Sequence, residues 1–176
     1  YMRFYELEAL CAMGEQDYVL KEMKDYWGGM LKLGATSFWE EYNPSKKGAE
    51  HLAMYGREFG KSLCHAWGAS PVYLLGKYYM GIKPTSPGYA TYLVEPNLGG
   101  LEWMEGRVST PGGDIGIRYG TNELMVTSAV GIGTLRFKSS TVPVCESTTV
   151  ESKGDNVYEL TMQPYKTYKV KYQVLK

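Results

Sequence analysis

The chain has 176 residues, of which 44% are hydrophobic and 22% charged, and its 19 basic and 19 acidic side chains cancel. A chain of this size can bury a core of its own, so we expect a folded protein rather than a disordered one. The lack of a basic excess argues against nucleic-acid or anionic-membrane partners, and no apolar run reaches the roughly 18 residues of a membrane span. Three widely spaced cysteines predict free thiols.

The first residues already follow a helical pattern. Phe4, Leu7 and Leu10 lie at helical spacing, and neither a helix cap nor a signal peptide precedes them. We therefore expect the chain to be a piece of a longer protein.

Helices are predicted for most of residues 1–82. One amphipathic helix runs from Phe4 to Met13. A second helix presents four apolar residues on one face, and Gly28-Gly29 weakens its end. The four apolar positions are Val19, Met23, Trp27 and Met30. A long loop over residues 33–61 precedes a third helix at 66–79, whose true start we place at Ser70 because Pro71 fits only a first turn.

Short alternating segments separated by Gly and Pro follow from residue 83. The clearest places Tyr168, Val170, Tyr172 and Val174 on one face of a strand. Several such strands indicate an antiparallel β-sandwich. The predicted fold class is therefore α + β, with a helical domain at 1–82 and a β-sandwich domain at 83–176.

The loop holds the first candidate for chemistry, the adjacent carboxylates Glu40 and Glu41 beside Phe38, Trp39 and Tyr42. Burial among rings raises the pKa of a carboxyl group, which suits general acid or base catalysis, and a ring can pack on the C–H face of a sugar. The alternative is that Trp39 anchors the loop in the core and both glutamates are solvated.

His65, between Cys64 and Trp67, is the second candidate. It can donate a hydrogen bond to a substrate hydroxyl, or it can be a core histidine bonded to backbone. His51 lacks such neighbours. A metal site built from His51, His65 and glutamates has no supporting ligand spacing, and no nucleotide or phosphate motif occurs, so no metal or cofactor is expected.

Taken together and in order, these stretches resemble the C-terminal part of the bacterial α-L-rhamnosidases of glycoside hydrolase family 78. The similarity is carried by GATSFWE at 34–40, SLCHAWGA at 62–69, GIKP at 81–84 and TPGGDI at 110–115. It spans roughly residues 1–138.

The resemblance implies an (α/α)6 barrel, of which residues 1–82 would supply the last helices, followed by the β-sandwich. It implies removal of terminal α-L-rhamnose with inversion, so that the partner is a rhamnose-containing glycoside or polysaccharide. Glu40 maps to the proposed general base and His65 to a sugar contact, while Trp39 shapes the pocket. The family also implies a parent protein that acts in the periplasm or outside the cell.

Three positions depart from the family pattern: Ser37 replaces Thr, Cys64 replaces Asn, and Glu41 stands where a basic residue is frequent. The family's general acid lies upstream of the Trp-Glu motif, and none of the acidic residues before Glu40 resembles it. We therefore expect this chain to carry the base half of a site and to be inactive alone. Barrel helices without their neighbours would self-associate through Trp27 and Met30.

Two other interpretations remain open. In the first, the parent is an (α/α)6 glycosidase with a different sugar specificity. In the second, the sandwich is a carbohydrate-binding or purely structural module, with an exposed aromatic row drawn from Tyr158, Tyr165, Tyr168 and Tyr172. The alternation of these tyrosines favours a place in the core.

Overall fold

The computed structural model describes residues 2–173 and 175 and divides the chain into two compact units, 1–74 and 75–176. The division falls inside the third predicted helix, whereas the sequence placed the domain boundary at 82/83. The described residues combine helices with two mainly antiparallel sheets, which confirms the α + β class and the sandwich.

The helical unit follows the predicted order of two helices, a long loop and a short third helix. Its helices are α1 (Arg3–Ala12), α2 (Gln16–Lys32) and α3 (Ser70–Leu74). A 3-10 turn (Gly48–Leu52) interrupts the loop, and another (Ala66–Gly68) precedes α3. The chain leaves α3 through one π-helical turn, Leu75–Tyr79, so the third predicted helix is three short elements, with α3 starting at Ser70 as expected.

The predicted apolar face of α2 is buried in the helical unit. Trp27 donates its indole N–H to the Gly68 carbonyl oxygen at 2.8 Å, which ties α2 to the turn before α3. Trp27 is only 7% exposed and Met30 only 2%. These two side chains therefore do not form the exposed surface that we expected to drive self-association.

Helix α2 continues through Gly28-Gly29 to Lys32. The Tyr42 ring lies directly against the Cα of Gly29, where a Cβ atom would overlap it, whereas a Cβ on Gly28 would meet open space. The missing side chain of Gly29 thus lets Tyr42, and with it the loop, pack directly on the surface of α2.

The second unit is a two-sheet sandwich. Its described strands are β1 (Ile82–Pro84), β2 (Thr91–Val94), β3 (Met104–Thr110), β4 (Gly113–Tyr119), β5 (Glu123–Thr127), β6 (Ile132–Lys138), β7 (Val144–Cys145), β8 (Glu151–Gly154), β9 (Val157–Met162) and β10 (Thr167–Lys171). One sheet has the order β1-β2-β6-β9-β8 and the other β3-β4-β5-β10-β7. The pairing is antiparallel except between β2 and β6, which run parallel.

Alternation places the predicted apolar residues of each strand inside the sandwich. Ile115 and Ile117 of β4 are buried, as are Tyr168 and Val170 of β10 and Tyr172 just after it. Val174, assigned to the same face, lies outside the described residues. Tyr168 and Tyr172 are core residues, so the exposed aromatic row proposed for a carbohydrate-binding sandwich does not form from them. The core interpretation is wrong for Tyr165, which is 72% exposed, and Tyr158 is half-buried.

Candidate active site

Two segments of the helical unit run side by side and bring the two candidate stretches together. The Glu40 N–H donates to the Ser62 carbonyl oxygen at 2.9 Å, and the His65 N–H donates to the Phe38 carbonyl oxygen at 2.7 Å. The Ser37 hydroxyl also donates to the Leu63 carbonyl oxygen. Backbone pairing therefore holds the Glu40 and His65 segments in register, although neither belongs to a regular strand.

Glu40 is 7% exposed, and both of its carboxylate oxygens accept hydrogen bonds. The Tyr55 hydroxyl donates to Oε1, and the Ser62 N–H donates to Oε2 at 3.2 Å. The interpretation in which both glutamates are solvated is thus wrong for Glu40. A buried carboxylate held from both sides has a fixed orientation.

The pKa of Glu40 is lowered from its ordinary value, which corrects the expectation that aromatic neighbours would raise it. The Tyr55 hydrogen bond is the largest cause, and the Ser62 N–H and the nearby His65 act in the same direction. Burial alone raises the pKa, but the donors outweigh it because they bind the charged form. Glu40 is consequently ionised at neutral pH, the state that a general base requires.

Glu41 sits in a cluster of charges beside the site. Its Oε2 lies 3.4 Å from the Lys46 Nζ and 3.6 Å from the Lys61 Nζ. The Lys61 side chain is fully buried, and burial lowers its pKa. Sequence reasoning did not single out Lys61 or Tyr55, because nothing in a loop sequence indicates which side chains fold back onto a neighbouring segment.

His65 is half-buried at the start of the 3-10 turn before α3. His65 is close enough to the Glu40 carboxylate to lower its pKa electrostatically, so the structure brings these two candidates together. Trp39, the third candidate, is 6% exposed, and its backbone carbonyl lies against the Cα of Gly68. Its ring is a core anchor next to Glu40 and presents little surface to a ligand.

His51, which the sequence gave no role, is also buried. Its ring stacks on Tyr42 with the ring centroids 5.9 Å apart and the planes nearly parallel, and the Tyr42 N–H donates to the Tyr26 hydroxyl at 3.0 Å. These contacts pack the loop after Glu41 against α2. The signal for this arrangement was Gly29, whose missing side chain makes room for Tyr42.

Over residues 2–173 and 175, no group of three or more His, Cys, Asp or Glu side chains is arranged to hold a metal ion. The same residues contain no helix with both the length and the apolar character of a membrane span. The cysteines are all free: Cys11 is buried, Cys145 is partly exposed, and Cys64 is exposed close to His65.

Residues 81–133 match the family described as the bacterial alpha-L-rhamnosidase C-terminal domain. A GH78 rhamnosidase of Bacillus sp. GL1 has a similar structure, with a TM-score of 0.54 and 31% identity over 70% of this chain and 12% of its own. The resemblance to the bacterial α-L-rhamnosidases is therefore confirmed. No functionally curated protein matches the chain in sequence.

Two further α-L-rhamnosidases share the fold over more of the chain. The Dictyoglomus thermophilum enzyme gives a TM-score of 0.71 at 19% identity and covers 97% of this chain and 20% of its own. The Streptomyces avermitilis enzyme, whose structure holds L-rhamnose, gives 0.64 at 15% identity and covers 84% of this chain and 15% of its own. The chain thus spans a fifth or less of the length of these three rhamnosidases.

Proposed function

We propose that this chain is part of an inverting glycoside hydrolase that removes terminal α-L-rhamnose, with Glu40 as the general base. The observation that carries the proposal is the buried, ionised Glu40 carboxylate, oriented by two donors and adjacent to His65. The rhamnosidase resemblance supports the substrate class.

In this mechanism Glu40 takes a proton from a water molecule, whose oxygen attacks the anomeric carbon. A second carboxyl group, about 6.5–9.5 Å from the first, protonates the departing glycosidic oxygen. His65 donates a hydrogen bond to a sugar hydroxyl and so positions the ring for attack. Trp39, next to the base, shapes the pocket and takes no part in the reaction.

The general acid comes from outside this chain in the proposal. The acidic side chains before Glu40 that lie nearest the core have other partners, since Glu22 pairs with Arg3 and Glu8 accepts from the Tyr73 hydroxyl at 2.7 Å. Residues 1–82 would then contribute helices to an (α/α)6 barrel whose remaining helices, with the acid, lie elsewhere in the parent protein, and 83–176 would form the sandwich domain.

The test uses the parent protein and an aryl α-L-rhamnoside. Glu40→Gln keeps the shape of the side chain but cannot accept a proton, so kcat should fall by about 10²–10⁴-fold. Glu58→Gln, in the exposed part of the same loop, is the matched control and should leave kcat unchanged. The first product, followed by NMR, should be β-L-rhamnose; an unaffected Glu40→Gln variant or an α product would contradict the proposal.

The 176-residue chain alone should not hydrolyse rhamnosides, because loss of a general acid by itself costs about 10²–10⁴-fold. The measurement is rhamnose release by chain purified from a host without rhamnosidase activity. Turnover that disappears in Glu40→Gln would show that the chain carries both halves of the site.

A further inference from the structure

Tyr55 occupies a backbone position that suits few residues. Met54 and Arg57 exchange both backbone hydrogen bonds at 3.0 Å, which closes a two-residue hairpin around Tyr55 and Gly56. Both central residues have positive φ, 54° at Tyr55 and 74° at Gly56, as type I′ turns require. Gly is usual in such turns, and Asn or Asp at the first position, whereas a tyrosine there is strained.

The Tyr55 side chain is mostly exposed, although its backbone is strained. At 70% exposure, the burial of apolar area offsets only a small part of that strain. The hydroxyl donates to Oε1 of the buried Glu40, fifteen positions earlier in the chain. Backbone strain at a residue that makes such a bond marks a position where the strain can serve a function.

We propose that Tyr55 is a positioning residue for Glu40, presented by the strained Met54–Arg57 turn so that its hydroxyl holds Oε1 while the Ser62 N–H holds Oε2. Two donors on opposite oxygens fix the carboxylate plane. These two oxygens are also the atoms that would take a proton from a water molecule. That Tyr55 positions a catalytic base rests on the function proposed above. The coupling between Tyr55 and Glu40 does not depend on that function.

The hydrogen bond also sets the pH range in which Glu40 can act. Since it is the main reason that the pKa of Glu40 is lowered, its removal leaves burial as the dominant influence, and the pKa must rise. Proton uptake would then inactivate the base at a higher pH.

The first test titrates Glu40 in the whole 176-residue chain by ¹³C NMR of the side-chain carboxyl carbon, assigned by comparison with Glu40→Gln. Tyr55→Phe removes only the hydroxyl and should move the midpoint upward. Tyr18→Phe, which alters an exposed tyrosine on α2, should not move it. An unmoved midpoint in Tyr55→Phe would overturn the inference.

A second variant separates the hydroxyl from the turn. Asn tolerates positive φ, so Tyr55→Asn should keep the hairpin while removing the phenol. It should raise the Glu40 midpoint as Tyr55→Phe does. A midpoint that rises in Tyr55→Phe but stays at the wild-type value in Tyr55→Asn would mean that turn geometry acts instead of the hydroxyl.

The third test is kinetic and uses the parent protein. Tyr55→Phe should lower kcat by about ten- to a hundredfold with little change in KM, because orientation is lost. The acidic limb of the plot of kcat/KM against pH should move to higher pH. The inference fails if Glu40→Gln abolishes turnover but the acidic limb of Tyr55→Phe stays at the wild-type pH. If Glu40→Gln leaves turnover intact while the NMR midpoint of Glu40 moves in Tyr55→Phe, the proposed function fails and the coupling between Tyr55 and Glu40 stands.

Discussion

The two units differ in what they bury. Among the described residues, the helical unit buries the polar or charged side chains Gln16, Glu40, His51, Lys61 and Ser70, and the sandwich buries Ser128 and Ser139. The sandwich serines are hydrogen-bonded, for example from the Ser128 hydroxyl to the Gln163 carbonyl oxygen at 2.6 Å. In the helical unit the His51 Nδ1 and the Lys61 Nζ are buried without a hydrogen bond within the described residues.

A buried polar group without a hydrogen bond lowers stability by about 1–3 kcal/mol. The sandwich follows the simple alternation of a structural domain, although its buried Tyr92 hydroxyl oxygen also has no hydrogen bond within the described residues. In the helical unit such atoms belong to His51 and Lys61, in the same loop as Glu40, and departures from local rules of this kind concentrate at functional sites. The contrast agrees with the proposal that the helical unit carries the chemistry while the sandwich supports the fold, and three substitutions test it.

The largest effect is expected in the sandwich core. Leu124→Ala removes a fully buried side chain and should lower the free energy of unfolding of this unit by about 2–5 kcal/mol. Amide hydrogen exchange of β4, β5 and β10 measures it, with the half-exposed Met125→Ala as control. The Glu40 titration should not move; if it does, the sandwich takes part in setting the site and the contrast is too simple.

Adjacent glycines on α2 give the next test. Gly29→Ala places a methyl group where the Tyr42 ring lies and should destabilise the helical unit by about 1–3 kcal/mol. Gly28→Ala meets open space and should stabilise α2 by up to about 1 kcal/mol. Chemical denaturation measures both. Equal effects would mean that Tyr42 does not pack on Gly29.

The smallest effect concerns Lys61 and pH. Burial lowers the pKa of Lys61 in the folded state below the ordinary 10.5. Between the folded-state pKa and the unfolded-state pKa, the unfolded chain therefore binds more protons than the folded chain. Stability then rises with pH through this window. Lys61→Met lacks the titrating group and should lose the rise, whereas exposed Lys24→Met should keep it. A wild-type minus Lys61→Met difference that is constant up to pH 10.5 would contradict this account.

Local patterns predicted most of the framework. The 3.6-residue period of α2 and the alternation of β4 and β10 depend on near neighbours, and each element formed where expected. The sequence treated Gly29 through helix propensity alone, and its contact with Tyr42 was missed because that contact is tertiary. The domain boundary at 82/83 was predicted from a change in composition and stays a prediction, while the division into compact units falls at 74/75.

The site was predictable only in part. Glu40 and His65 came from motifs, and backbone pairing does bring their segments together. The direction of the Glu40 pKa change was wrong because the sequence shows the aromatic neighbours but not the donor from Tyr55. Tyr55 and Lys61 lie in a loop without periodicity, and only the folded backbone reveals what they contact.

The parallel pairing of β2 with β6 has a consequence for how the sandwich folds. Thr91 pairs with Ile132, and all of β3, β4 and β5 lies between them in the chain and belongs to the other sheet. The local hairpins β3-β4 and β4-β5 can form early, but the β1-β2-β6-β9-β8 sheet must wait for a long loop to close. We expect refolding to be slow, with the hydrogen bonds between β2 and β6 among the last to gain protection from exchange.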